Sequence, residues 1–321
     1  MVHRKTNERK TLKIKRSIAC SRAIFFILLL IFLTTFTVIM VFFLTSPNTF
    51  IDETADEHEN ISTNGTCIKP DETTLRQKEK IDFQSIVNEW VNSTGGNKSV
   101  LIYDLDHDEQ LAAYDTDEVY NTASLYKLFV VYEGYRRIQN GNWKSSDKAG
   151  NTGYTILKCL DLAIRESNSS CAETLWGKIG IKNLDEIIKN DLDIYNSNIS
   201  ELISTTNNIS KIMKLFYYHP DIRDETLVNN MKDSFLNQPV TEYDWRQGLP
   251  SGFSSKVKVY NKVGWEYNTE NSYWNIYNDA AIVEFPEQNR HFIVVVMTNK
   301  VSHKQIGELG KMIEEKFFST Y

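Results

Sequence analysis

The chain contains no His-Glu-x-x-His and no Gly-x-Ser-x-Gly, and its six histidines (His3, His58, His107, His219, His291, His303) form no ligand spacing. A metallohydrolase and a Ser-His-Asp esterase are therefore disfavoured, and no metal or cofactor is expected. Outside its first residues the chain is acidic, with a formal charge of −6 overall and no basic patch interleaved with aromatics. Nucleic acid is not an expected partner. No internal repeat is visible. Cysteine is sparse, at Cys20, Cys67, Cys159 and Cys171.

The longest gap is in charge. Residues 23–44 run 22 positions without one charged side chain and are rich in Phe, Ile and Leu. At about 1.5 Å per residue such a helix crosses a hydrocarbon layer of about 30 Å. The run is too long for a typical signal-peptide core, and no small-x-small cleavage pattern follows it. We read an uncleaved transmembrane anchor over 23–45, a cleaved signal peptide being the alternative. Residues 1–22 carry eight Lys/Arg against the single acid Glu8, which marks them as a cytoplasmic tail and puts residue 46 onward outside the cell membrane. Residues 46–80 hold an acidic cluster followed by Asn, Thr and Gly without apolar periodicity, the pattern of a linker. The folded domain is expected over 81–321.

Within that domain the apolar periods predict a helix over 83–91, strands over 99–104 and 110–115, then helices over 124–139, 155–165, 170–179, 184–190, 208–218 and 225–236. Strands return over 257–263, 278–285 and 291–298, and a helix over 304–318 closes the chain. Strands at both ends with helices between predict an α+β fold. Its antiparallel sheet is built from the N- and C-terminal parts, and an all-α segment is inserted. Cys159 and Cys171 flank the break between two of these helices, and a bridge between them and a pair of buried thiols are equally compatible with the spacing.

Three short signals occur in order: Ser124-Leu125-Tyr126-Lys127, Ser167-Asn168-Ser169 and Lys262-Val263-Gly264. Ser-x-x-Lys alone is weak, since Ser145…Lys148 and Ser255…Lys258 also match. Only Ser124 opens an apolar helix. Residues three apart share a helical face, so Lys127 would lie one turn below Ser124. A serine needs a neighbouring base to attack at neutral pH; Lys127 can serve if burial or a second cation such as Lys262 lowers its pKa. Ser167 stands at a helix break from which it could pass a proton to a leaving group, with Ser169 placed to bond a substrate amide. Lys262 offers charge to a substrate carboxylate, and Gly264 would let substrate lie against the strand edge. The N–H groups of Trp265 and Ser124 would form an oxyanion hole. Singly, each signal reads equally as capping or as an edge-strand lysine; the ordered set does not.

With Arg246-Gln-Gly-Leu-Pro250 ahead of the third signal and Asn278-Asp-Ala-Ala-Ile-Val283 after it, residues 81–321 resemble the penicillin-recognising serine enzymes, specifically class A β-lactamases and related D,D-peptidases. The resemblance implies an α/β sandwich with an all-α subdomain and an acyl-enzyme mechanism that needs no metal. Ser124 would be acylated, Lys127 its base, Ser167 the relay, and Lys262 the cation facing the carboxylate of a β-lactam or cell-wall peptide. The chain departs from the family at Asn168 and Ser169, and at Val263 where a Thr or Ser hydroxyl is usual. The deacylating Glu-x-x-Leu-Asn loop is missing: Glu201 lies at a plausible distance without the pattern, and Glu166 directly precedes the second signal. The alternatives to a hydrolase are a slowly deacylating D,D-peptidase-like penicillin binder and a non-catalytic surface module.

Overall fold

The computed structural model describes residues 81–239, 244–268 and 273–320. The predicted cytoplasmic tail, anchor and linker lie outside the described residues; among those described, no helix is long and apolar enough to cross a membrane.

Five antiparallel strands form the central sheet: β1 (Asn97–Asp104), β2 (Glu109–Tyr114), β5 (Lys258–Asn268), β6 (Tyr273–Phe285) and β7 (Arg290–Asn299), in spatial order β2-β1-β7-β6-β5. Pairing of β1 with β7, from Asn97↔Asn299 to Asp104↔Phe292, joins the two ends of the domain as expected. The strand β7 explains why. Its run Phe292-Ile-Val-Val-Val-Met shows no polar alternation because both faces of the sheet are covered. Phe292, Val294 and Val296 enter one core with Phe83, Trp90 and Phe317. Ile293, Val295 and Met297 enter the other with the helical segment.

The first core is closed by α1 (Phe83–Ser93) and α8 (His303–Thr320). Asp82 caps α1 by accepting the Ser85 N–H at 3.0 Å, and the buried stripe Phe83, Ile86, Val87, Trp90 follows helical spacing. Trp90 Nε1 donates to the Gln305 carbonyl at 2.7 Å, tying the two helices together. The other core is built by α2 (Tyr126–Gln139), α3 (Ile156–Arg165), α4 (Ser169–Ile179), α5 (Ile181–Asn190), α6 (Thr206–Tyr218) and α7 (Glu225–Leu236). Thr155, Asn168, Thr205 and Asp224 cap α3, α4, α6 and α7 with their side chains, each satisfying N–H groups that the first turn leaves open.

The structure adds two features to the sequence expectation. A second sheet pairs β3 (Val119–Asn121) with β4 (Ile203–Thr205); at three residues each these strands carry no readable period. The β5–β6 hairpin also extends further than predicted, because its far end is polar and its pairing is fixed by backbone register through Asn268↔Tyr273. Between α3 and α4, Cys159 and Cys171 are joined as a disulfide with Cα atoms 4.9 Å apart. The bridge closes a loop of 12 residues, which constrains the unfolded chain by about 3 kcal/mol.

Candidate active site

Residue Ser124 lies in a single 3-10 turn (Ala123–Leu125) ahead of α2, where the sequence predicted α-helix from Ser124 onward. The turn is strained: Ala123 adopts φ +42°, a conformation that costs a non-glycine residue about 1–3 kcal/mol unless its surroundings impose it. They do. The Asn121 side chain accepts the Ala123 N–H at 2.6 Å, and the Thr122 N–H is held by the Leu202 carbonyl at 2.7 Å. Asn121 is fixed in turn by Glu266, which accepts from its amide at 3.0 Å, and by Asn278, which donates to its carbonyl at 2.8 Å. A Cβ on Gly264 would stand 2.4 Å from the Thr122 carbonyl oxygen. The glycine therefore admits the Ser124 turn itself against β5, whereas the sequence reading gave it to substrate.

The three signals meet at one hydroxyl. Lys127 is fully buried, and its Nζ lies 2.5 Å from the Ser167 carbonyl, 3.2 Å from Ser167 Oγ and 3.0 Å from Ser169 Oγ. Lys262 is 1% exposed, with Nζ 2.9 Å from the same Ser167 Oγ and 2.5 Å from the Val263 carbonyl. Ser167 thus bridges two buried amines, from a backbone at φ +53° that Asn168 stabilises by capping α4 through the Cys171 N–H at 2.9 Å. Ser169, expected to bond a substrate amide, is occupied by Lys127. No hydrogen bond joins Ser124 Oγ to Lys127, and Ser124 is half-buried.

Burial sets the protonation. Desolvation lowers the Lys127 pKa to about 8, against a smaller opposing effect from the Glu173 carboxylate. Lys262 is driven well below the ordinary lysine range, first by desolvation and then by the charge of Lys127, with Asp279 opposing. The like-charge effect therefore falls on Lys262, the reverse of the expectation that Lys262 would depress Lys127. Two ammonium groups cannot share Ser167 cheaply, and it is the charged form of Lys262 that its neighbour disfavours.

The edge strand β5 supplies the remaining polar groups. The carbonyls of Val259, Asn261 and Val263 point off its open side, accepting from Arg246 at 3.1 Å, Gln238 at 2.6 Å and Lys262 at 2.5 Å. The two-residue strand repeat aims the Trp265 N–H at that same edge, beside the Ser124 turn. Behind the edge, Asp279 is wholly buried, accepting from the Leu249 N–H at 2.8 Å and Asn261 Nδ2 at 3.1 Å. Desolvation raises its pKa to about 7. Sequence reasoning placed Arg246 and Asp279 in flanking motifs without a task; both brace β5. Asn121, Asn261 and Glu266 were missed. Only Asn261 carried a signal, a polar side chain at a position that a strand should bury.

Of the two glutamates weighed as water-activating bases, Glu201 is exposed on a 3-10 turn (Ile199–Glu201), and Glu166 ends α3 with its backbone on the Leu162 carbonyl. Neither is brought to Lys127 by a hydrogen bond or by a resolved charge effect.

A sheet covered by helices on both faces, with a serine turn, two buried lysines and a bridging serine at an open strand edge, has the build of an active-site-serine hydrolase. Residues 82–317 match the model of the beta-lactamase enzyme family, and the chain belongs to that family. Among solved structures it is similar to a class A β-lactamase from Bacteroides cellulosilyticus, at 15% identity over 75% of this chain and 99% of that one, with a TM-score of 0.64. It is likewise similar to PBP-A (13% identity, 74% and 96% covered, TM-score 0.62) and to a β-lactamase from Xanthomonas campestris (10% identity, 73% and 96% covered, TM-score 0.63). At these identities the likeness is one of fold. No curated protein matches the chain by sequence.

Proposed function

We propose that this protein is a membrane-anchored serine hydrolase that acylates itself on Ser124 with β-lactams or related acyl-D-Ala substrates, its domain lying outside the cell membrane. The observation that carries the reading is the Lys127–Ser167–Lys262 link, in which both amines lie within 3.2 Å of one hydroxyl. In the reaction, neutral Lys127 takes the proton of Ser124 as its oxygen attacks the carbonyl carbon. The Ser124 and Trp265 N–H groups receive the developing oxyanion. The proton then passes through Ser167 to the leaving nitrogen, completing the acyl-enzyme. A substrate carboxylate arriving at Lys262 favours its charged form, so binding moves a proton onto that amine and leaves Lys127 free to act.

Intact-mass spectrometry of the purified domain with a penicillin should show a one-to-one adduct that Ser124→Ala does not form. An unmodified wild-type protein at saturating penicillin rules the reading out. An adduct that persists for hours identifies a D,D-peptidase-like binder, the reading favoured by the exposed position of Glu201.

The membrane part of the proposal rests on the uncharged run 23–44 and its basic flank. The Cys159–Cys171 bridge supports an oxidising compartment. The full chain should sediment with membranes and require detergent for release, and removal of residues 1–45 should free it. A full chain recovered in the aqueous fraction contradicts the anchor.

A further inference from the structure

Glu201, in the region where a deacylating base would be sought, is exposed and has no resolved effect on Lys127, whereas the charge of Glu173 does act on it. Glu173 lies on α4, four residues after Ser169. Positions i and i+4 of a helix lie one above the other on the same face, with Cβ atoms about 5–6 Å apart. Ser169 Oγ is itself 3.0 Å from Lys127 Nζ, so this helical face looks onto the buried amine. A glutamate side chain is long enough to extend over most of the remaining gap. Glu173, like Ser169, is exposed, so this face of the helix meets solvent beside the buried amine. Its charge acts on Lys127 and also on Tyr126, the residue directly before it. Tyr126 packs on Trp176 of the same helix, with ring centroids 5.0 Å apart, which holds α4 against the start of α2. Glu166 and Glu201 have neither the helical relation to Ser169 nor a resolved effect on Lys127.

Resting on the acyl-enzyme reading above, we infer that Glu173 is the general base of deacylation, supplied from α4 in place of a loop glutamate. Its carboxylate takes a proton from a water molecule as the water oxygen attacks the acyl carbonyl carbon. The tetrahedral intermediate collapses by breaking the bond between that carbon and Ser124 Oγ. The proton then returns from Glu173, by way of Lys127, to Ser124 Oγ. The acid product leaves, and the carboxylate and serine are regenerated.

The test separates the two half-reactions. Adduct formation and adduct loss are followed by intact mass after a short penicillin pulse, for the wild type, Glu173→Gln and Glu201→Gln. General base catalysis contributes about 10²–10⁴-fold, so Glu173→Gln should lose its adduct at least 100-fold more slowly than wild type while still acquiring it. Glu201→Gln should match wild type. Glu173→Asp, which keeps the base on a shorter arm, should recover part of the loss. Equal deacylation by wild type and Glu173→Gln overturns the assignment, as does a wild-type adduct that never hydrolyses. In both of those cases acylation of Ser124 stands. A wild type that takes no adduct overturns the acyl-enzyme reading and this assignment together. Loss of the Glu173 charge also moves the alkaline limb of acylation to lower pH. That displacement without slower deacylation marks Glu173 as a purely electrostatic neighbour and overturns its role as base.

Discussion

Lys127→Met should slow acylation of Ser124 by about 10²–10⁴-fold, the usual contribution of a positioned general base. Methionine is an unbranched apolar side chain and suits a position that is fully buried, so the fold should survive the change. What disappears is the one amine that holds the Ser167 carbonyl, Ser167 Oγ and Ser169 Oγ together. The Ser167 carbonyl and Ser169 Oγ then lose their amine donor while Ser167 Oγ keeps Lys262, an expense offset by removing an amine that burial already disfavours in its charged form. The pH profile gives a sharper reading than the rate. The Lys127 pKa is lowered to about 8, so the amine is mostly charged at pH 7, and acylation by the wild type should rise as pH passes through about 8. Sign matters for stability too. A lysine whose folded pKa lies below its unfolded value adds stability at high pH and loses it as pH falls through the folded value. The wild type should therefore gain stability on moving from pH 7 to pH 9 relative to Lys127→Met. Pre-steady-state acylation measured from pH 6 to pH 10 decides the matter. A Lys127→Met protein that keeps both the rate and the limb near pH 8 shows that another group is the base.

The part of this site that was legible in the sequence is the part that is local. Ser124 and Lys127 lie one turn apart, and the polar break at Ser167 sits between two apolar helices; both are set by neighbours within a few residues. Strand β7 was legible because covering both faces of a sheet leaves an unbroken apolar run. The remainder depends on contacts between distant segments. Both lysine pKa values are lowered by burial, and that of Lys262 also by the charge of Lys127, with Glu173 and Asp279 opposing; neither carboxylate adjoins its lysine in sequence. Ser169 was assigned to substrate because a turn between two helices can project side chains into a cleft; the fold gives its hydroxyl to Lys127, which reaches from α2 to the start of α4. The disulfide resolves a choice that spacing left open, since a separation of 12 residues fits bridged and free cysteines alike.

Gly264→Ala should be more damaging than its single added methyl implies. The new Cβ would lie 2.4 Å from the Thr122 carbonyl oxygen, 2.8 Å from Leu125 Cγ and 3.1 Å from the Leu125 nitrogen. Leu125 can change rotamer, but the carbonyl belongs to a backbone whose N–H is held by Leu202 at 2.7 Å. The β5 edge and the serine turn must then separate. Overpacking of this kind costs about 1–3 kcal/mol. Displacement by about 1 Å also separates the Ser124 and Trp265 N–H groups, a misplacement on the order of 100-fold in rate. Gly177→Ala provides the matched comparison. A Cβ there meets nothing within 4 Å, and the residue sits inside α4, where alanine is favoured over glycine by about 1 kcal/mol. The two substitutions are chemically identical, so thermal denaturation should shift in opposite directions: down for Gly264→Ala, up for Gly177→Ala. Penicillin acylation should fall only in the first. If Gly264→Ala matches wild type in both melting and acylation, the turn does not rest on β5, and the oxyanion site at that edge loses its support.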